Sequence, residues 1–149
     1  MVIAVSPDHQ TQRLLFFVAS SLNDNIRVNM RECLRRVGAS RRWTIAPPCF
    51  VDTQENPKDK SRGDVKTETV GGYLEIYSAH PPWTLPREID LQLLDEVEAL
   101  VNEMRDFSRQ YQLAFEFELD GKFVGSITDG EMDRSLATGL LGEWRRQLG

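Results

Sequence analysis

The chain is poor in the residues that most often carry chemistry. Its 149 residues include two cysteines, Cys33 and Cys49, and two histidines, His9 and His80. There is no CxxC pair and no dense cysteine framework, so each cysteine reads as a small buried hydrophobe. Neither histidine has a neighbouring ligand at useful spacing and HExxH is missing, which leaves no expected metal site. A G-x-S-x-G nucleophile elbow is also missing. The run Gly121-Lys122-Phe123-Val124-Gly125-Ser126 holds P-loop letters in the wrong order, and Val70-Gly71-Gly72 lacks the rest of a dinucleotide fingerprint. No apolar run approaches the ~20 residues of a membrane span. The start, MVIAVSPDHQ, has no basic segment ahead of its apolar residues, so it does not read as a secretion signal. These gaps lead to the expectation of a cytoplasmic protein with no cofactor, no membrane contact and no catalytic residues.

What is present describes an ordinary globular chain, 40% hydrophobic and 28% charged. Its length suits a single domain over 1–149, large enough to build a core without disulfides or metal. The net charge of −5 is unevenly placed. Residues 1–62 hold 10 Lys/Arg against 6 Asp/Glu, whereas residues 83–133 hold 13 acidic residues against 4 basic ones. Phosphate contacts demand basic clusters, so an acidic surface argues against nucleic acid as a partner and for a basic protein.

The pattern is clearest over Leu113–Ile127, LAFEFELDGKFVGSI, where Asp120-Gly121 signals a β-hairpin turn. A two-residue turn would pair Leu119 with Lys122. A turn with Gly121 as a bulge residue would pair Glu118 with Lys122 and Phe117 with Phe123. The second register lines Leu113, Phe115, Phe117, Phe123 and Ile127 on one face, and a one-residue slip would exchange the faces, so burial favours it.

Ile26, Met30, Cys33, Leu34 and Val37 recur at helical spacing, and Gly38 is expected to stop that helix. Its outer face carries Arg27, Arg31, Arg35 and Arg36 and continues into Arg41 and Arg42; a solvated face is expected there. A second helix is expected over Pro86–Gln110, with Ile89, Leu93, Val97, Leu100, Met104, Phe107 and Tyr111 as its apolar stripe and Glu88, Asp95, Glu103 and Asp106 opposite. Asp133 is placed to cap a third helix, in which Leu136, Leu140, Trp144 and Leu148 repeat every four residues. Gly139 and Gly142 inside it suit a helix lying close against the hairpin.

Strands are expected over Met1–Val5, Leu14–Ala19, Trp43–Val51, Val65–Val70 and Tyr73–Ser78, the last two forming one bent strand or two. Pro47-Pro48 confines the third to an edge or splits it. Ser6-Pro7-Asp8 resembles a helix start, 54–64 reads as an exposed loop, and His80-Pro81-Pro82-Trp83 as a rigid connector. The fold class is therefore α+β, a mostly antiparallel sheet with about three helices on one face, the last of them against the 113–127 hairpin.

Acidic residues on a strand followed by D-x-K, here Glu116, Glu118, Asp120 and Lys122, are the best enzyme candidate, a metal-dependent nuclease arrangement. The turn uses Asp120 and Gly121, and a Glu118–Lys122 cross-strand pair explains the same letters. The favoured reading is a non-enzymatic binding protein, in the manner of an immunity-type inhibitor of a basic toxin or nuclease. Its candidate partner-binding residues are Glu88, Asp95, Glu103, Asp106, Glu116 and Glu118. A homo-oligomeric assembly subunit anchored by Tyr73, Tyr77 and Trp83 is the alternative.

Overall fold

The computed structural model describes residues 9–20, 22–53, 69–77 and 85–148. The expectations for Met1–Val5, Ser6-Pro7-Asp8, 54–64, Val65–Glu68 and His80–Trp83 lie outside them. In chain order the elements are β1 (Thr11–Val18), α1 (Asp24–Ala39), β2 (Cys49–Asp52), β3 (Val70–Tyr77), α2 (Arg87–Tyr111), β4 (Ala114–Leu119), β5 (Lys122–Thr128), β6 (Glu131–Met132), a π-helical turn pair (Ser135–Gly142) and α3 (Glu143–Leu148). All strands join one antiparallel sheet in the order β2-β3-β1-β4-β5-β6. This is the α+β architecture that the apolar pattern foretold.

Leu14–Val18 could have been helix or strand by periodicity alone. It is the central strand, with Leu14, Phe16 and Val18 buried and Leu15 and Phe17 on the other face. That alternation follows from the two-residue repeat of a pleated strand. β2 is shorter than the expected Trp43–Val51 strand, because Pro47 and Pro48 cannot donate to a ladder; it forms only after them, at a sheet edge. β3 runs straight through Gly71-Gly72. A Cβ on Gly72 would fall 2.9 Å from Phe16 Cζ and 2.8 Å from Leu34 Cδ1, so glycine lets α1 and the Phe16 ring close over the sheet.

The helices take the faces expected of them. Asn23 caps α1 by accepting the Ile26 N–H at 2.8 Å, and Ile26, Met30, Cys33, Leu34 and Val37 are all buried. Gly38 does not stop α1, which continues to Ala39 and is capped at Ser40. Gly38 instead lies against Pro47, 3.2 Å from where a Cβ would sit, and its carbonyl accepts Trp43 Nε1–H at 3.0 Å. α2 buries Ile89, Leu93, Val97, Leu100, Met104 and Phe107, with Leu94, Val101 and Glu96 as well. At its end Ser108 Oγ donates to Leu113 O (2.6 Å) and accepts Gly130 N–H (3.1 Å), pinning the base of the hairpin to the helix.

The hairpin register differs from the expected one. Asp120 and Gly121 both adopt positive φ, 53° and 83°, as a two-residue primed turn requires, so Leu119 pairs with Lys122 and Glu118 with Phe123. An irregularity at Phe117/Glu118 then absorbs one residue of β5, after which Phe117 pairs with Gly125 and Phe115 with Ile127. Turn geometry sets the tip and burial sets the base, and the bulge reconciles them. Phe123 consequently stands on the outer face, 55% exposed, and no Glu118–Lys122 ion pair forms among the described residues.

The last helix also departs from a four-residue repeat. Asp133 caps it as expected, accepting Leu136 N–H at 2.8 Å, but the first turns are π-helical, so the fully buried residues are Leu136 and Leu141 rather than Leu136 and Leu140. The glycine that permits close packing on the hairpin is Gly125, where a Cβ would be 2.4 Å from Leu136 Cβ. Gly139 faces open space.

Candidate functional site

The six acidic residues singled out by sequence fall on two surfaces. Glu88, Asp95, Glu103 and Asp106 lie along α2, and three of them are already engaged. Asp95 binds Arg41, Glu103 receives Arg36 at 3.1 Å, and Asp106 lies 3.7 Å from Arg109. Arg36 of α1, Arg41 just beyond it and Arg109 of α2 itself thus offset three of the four α2 acids. The α1 arginines are not merely solvated: Arg27, whose side chain is 11% exposed, meets Asp24 and Asp52, and Arg31 stacks 5.1 Å from the centre of the Phe50 ring.

Glu116 and Glu118 are placed differently. They project from β4 on the sheet face away from the helices, and neither has an ion-pair partner among the described residues. Cross-strand register arranges them in rows. Cys49, Tyr73, Leu15, Glu118 and Phe123 follow one another across five strands; Val51, Gly71, Phe17, Glu116 and Ser126 form the next row. Directly opposed residues in a row sit about 4.5–5.5 Å apart at Cβ, which sets Glu118 between Leu15 and Phe123 and Glu116 between Phe17 and Ser126. Arg13 stacks on Tyr73 (4.4 Å) and lies 3.8 Å from Glu75, leaving Glu116, Glu118 and, across from Thr128, Glu131 as the net charge of the face. Cys49 is exposed here, contrary to expectation, because β2 is an edge strand; Cys33 is buried, and burial raises its thiol above the ordinary range.

Asp120 occupies the hairpin turn, away from the outer-face rows of Glu116 and Glu118, and no three His, Cys, Asp or Glu side chains converge into a metal-holding group among the described residues. His9 is buried, its ring edge-on to Tyr77 at 5.2 Å. Trp83 and His80 lie outside the described residues.

One ionisable residue escaped the sequence reading. Glu96 is 4% exposed in the middle of α2. Its Oε2 accepts both the Thr44 N–H (3.0 Å) and the Thr44 hydroxyl (2.5 Å), while Oε1 has no hydrogen-bond partner among the described residues. Burial pushes its carboxyl above the usual range, against the opposing pull of the Thr44 donors and Arg41. The signal was available: Glu96 follows Leu93 by three and precedes Leu100 by four, which puts it on the apolar stripe.

No family model matches the chain, and no curated protein or solved structure is significantly similar to it.

Proposed function

We propose that this chain is a non-enzymatic binding protein that docks a basic protein partner on the outer face of its sheet, as an immunity-type inhibitor of a toxin or nuclease would. One observation carries the reading. Glu116 and Glu118, like Glu88 on α2, have no ion-pair partner among the described residues, and unlike Glu88 they share one sheet face with Leu15, Phe17, Tyr73 and exposed Phe123. Carboxylates on such a platform speed encounter with a cationic surface, and the apolar side chains between them supply area that holds the complex. The α2 acids contribute less, since Arg36, Arg41 and Arg109 already offset Glu103, Asp95 and Asp106.

Affinity capture from the source cell at low and raised salt, followed by binding measurements on the recovered partner, tests this. Glu116→Lys with Glu118→Lys should weaken association at least about tenfold, and Glu88→Lys with Asp106→Lys by much less. Unchanged affinity in the sheet double variant rejects the docking face. Tyr73 and Tyr77 on that same face favour a second reading, self-assembly through it. Light scattering separates the two, because an assembly subunit gives a defined oligomer that persists at high salt.

A further inference from the structure

Alternation along a strand sends every second side chain to the outer face, so each strand contributes one file of residues there. The two central files lie side by side. β1 contributes Leu15 and Phe17, and β4 contributes Glu118 and Glu116, with Leu15 opposite Glu118 and Phe17 opposite Glu116. Tyr73 continues the apolar side from Leu15, and Val51 lies beyond Gly71 from Phe17. Arg13, the cation of the β1 file, is turned to Tyr73 and Glu75. The outer face therefore offers an apolar file and an acidic file running together along the strands.

That layout selects the form of a partner as well as its charge. An occupant must present apolar and basic groups in two parallel lines about 4.8 Å apart, the spacing of neighbouring strands. A single extended strand does not, because its side chains alternate between opposite faces and one line of them meets the sheet. A helix does: residues i and i+4 form one line and residues i−1 and i+3 form another, displaced about 100° around the axis. Its diameter of about 10 Å covers two strands. The repeat along the axis fits too. Glu116 and Glu118 are two strand residues apart, about 6.8 Å, and the rise from i to i+4 on a helix is about 6 Å. Helices α1 and α2 already cover the inner face of the same sheet.

Resting on the docking reading above, we infer that the basic partner lays one amphipathic helix on the outer face, its axis along β1 and β4, with apolar residues at i−1 and i+3 over Leu15 and Phe17 and Lys or Arg at i and i+4 over the two glutamates.

Isothermal titration of the whole chain with three synthetic peptides tests this. The first carries Leu and Lys in those two lines, the second has the same residues in strict alternation, and the third carries Glu in place of Lys. The first should bind at least about tenfold more tightly than either of the others and gain helical circular dichroism on binding. Glu116→Lys with Glu118→Lys should reverse the preference, taking the Glu peptide over the Lys peptide. Both glutamates stand outside the core, so this variant folds. Equal binding of the helical and alternating peptides overturns the inference. So does a preference unaltered in the double variant, or an oligomer of the chain alone, seen by light scattering, that the double variant disperses. If no peptide binds while the intact partner still loses affinity for the double variant, the helix is wrong and the docking reading stands. If the intact partner's affinity is also unchanged, both fall.

Discussion

The two faces of the sheet are made from alternate residues of the same strands, yet they answer to different demands. On the inner face Leu14, Phe16, Leu74, Phe115, Phe117 and Ile127 are almost wholly removed from water beneath α1, α2 and the π-helical segment. On the outer face Leu15, Phe17 and Tyr73 keep partial contact with solvent beside Glu116 and Glu118. Stability resides in the first set, so the second can change composition without unfolding the chain. An outer face that retains large apolar side chains around unpaired carboxylates is therefore informative about binding.

The sharpest way to break the contrast is to truncate equivalent rings on each side. Phe117→Ala should cost roughly 3–5 kcal/mol in chemical denaturation, and Phe17→Ala distinctly less, because only the first leaves a closed cavity. Equal losses would mean that the outer face is core as well. Next in size, Gly125→Ala should destabilise by about 1–3 kcal/mol, since its new methyl must displace Leu136, and loss of the Trp144 fluorescence signature should accompany it.

Glu96→Gln should act in the opposite direction, stabilising the chain by about 1 kcal/mol near neutrality. Burial raises the folded-state pKa of Glu96 above the ordinary 4.5, so on raising the pH the unfolded chain gives up its proton first and the folded state loses stability relative to it. The gain from glutamine should thus be full above the raised folded-state pKa and vanish well below 4.5, which denaturation curves at the two extremes would resolve. The smallest change is expected at the hairpin tip. Phe123→Ser should alter stability by less than about 0.5 kcal/mol while weakening partner association. A large loss of stability there would show that the Phe123 ring is covered.

How much of this was legible depended on whether one periodicity governed a segment. α1 and α2 were readable because their apolar residues keep a single helical phase over many turns. The hairpin was only half readable: Asp120-Gly121 fixes the turn and the aromatic alternation fixes the base, but the two are out of phase by one residue, and no residue type advertises the bulge that joins them. The π-helical stretch was hidden for a similar reason, since Leu140 and Leu141 are both leucine and only the five-residue spacing from Leu136 chooses between them. Glu96 was overlooked because an acidic residue amid Asp95 and Glu98 blends into a charged helix, although its position in the stripe marks it as interior. The pairing of Arg36 with Glu103 and of Arg41 with Asp95 is a tertiary fact, set by how α1 and the loop after it lie against α2.

The central place of β1 has a consequence for how the molecule comes into being. Leu14 pairs with Leu74 on one side and with Leu119 on the other, so its second neighbour is synthesised about a hundred residues after it. During translation the oily Leu14–Val18 ribbon can meet β3 first, but its other edge must wait, unmatched, until the hairpin has left the ribosome. That interval is when this chain is most open to misassociation and most in need of a chaperone.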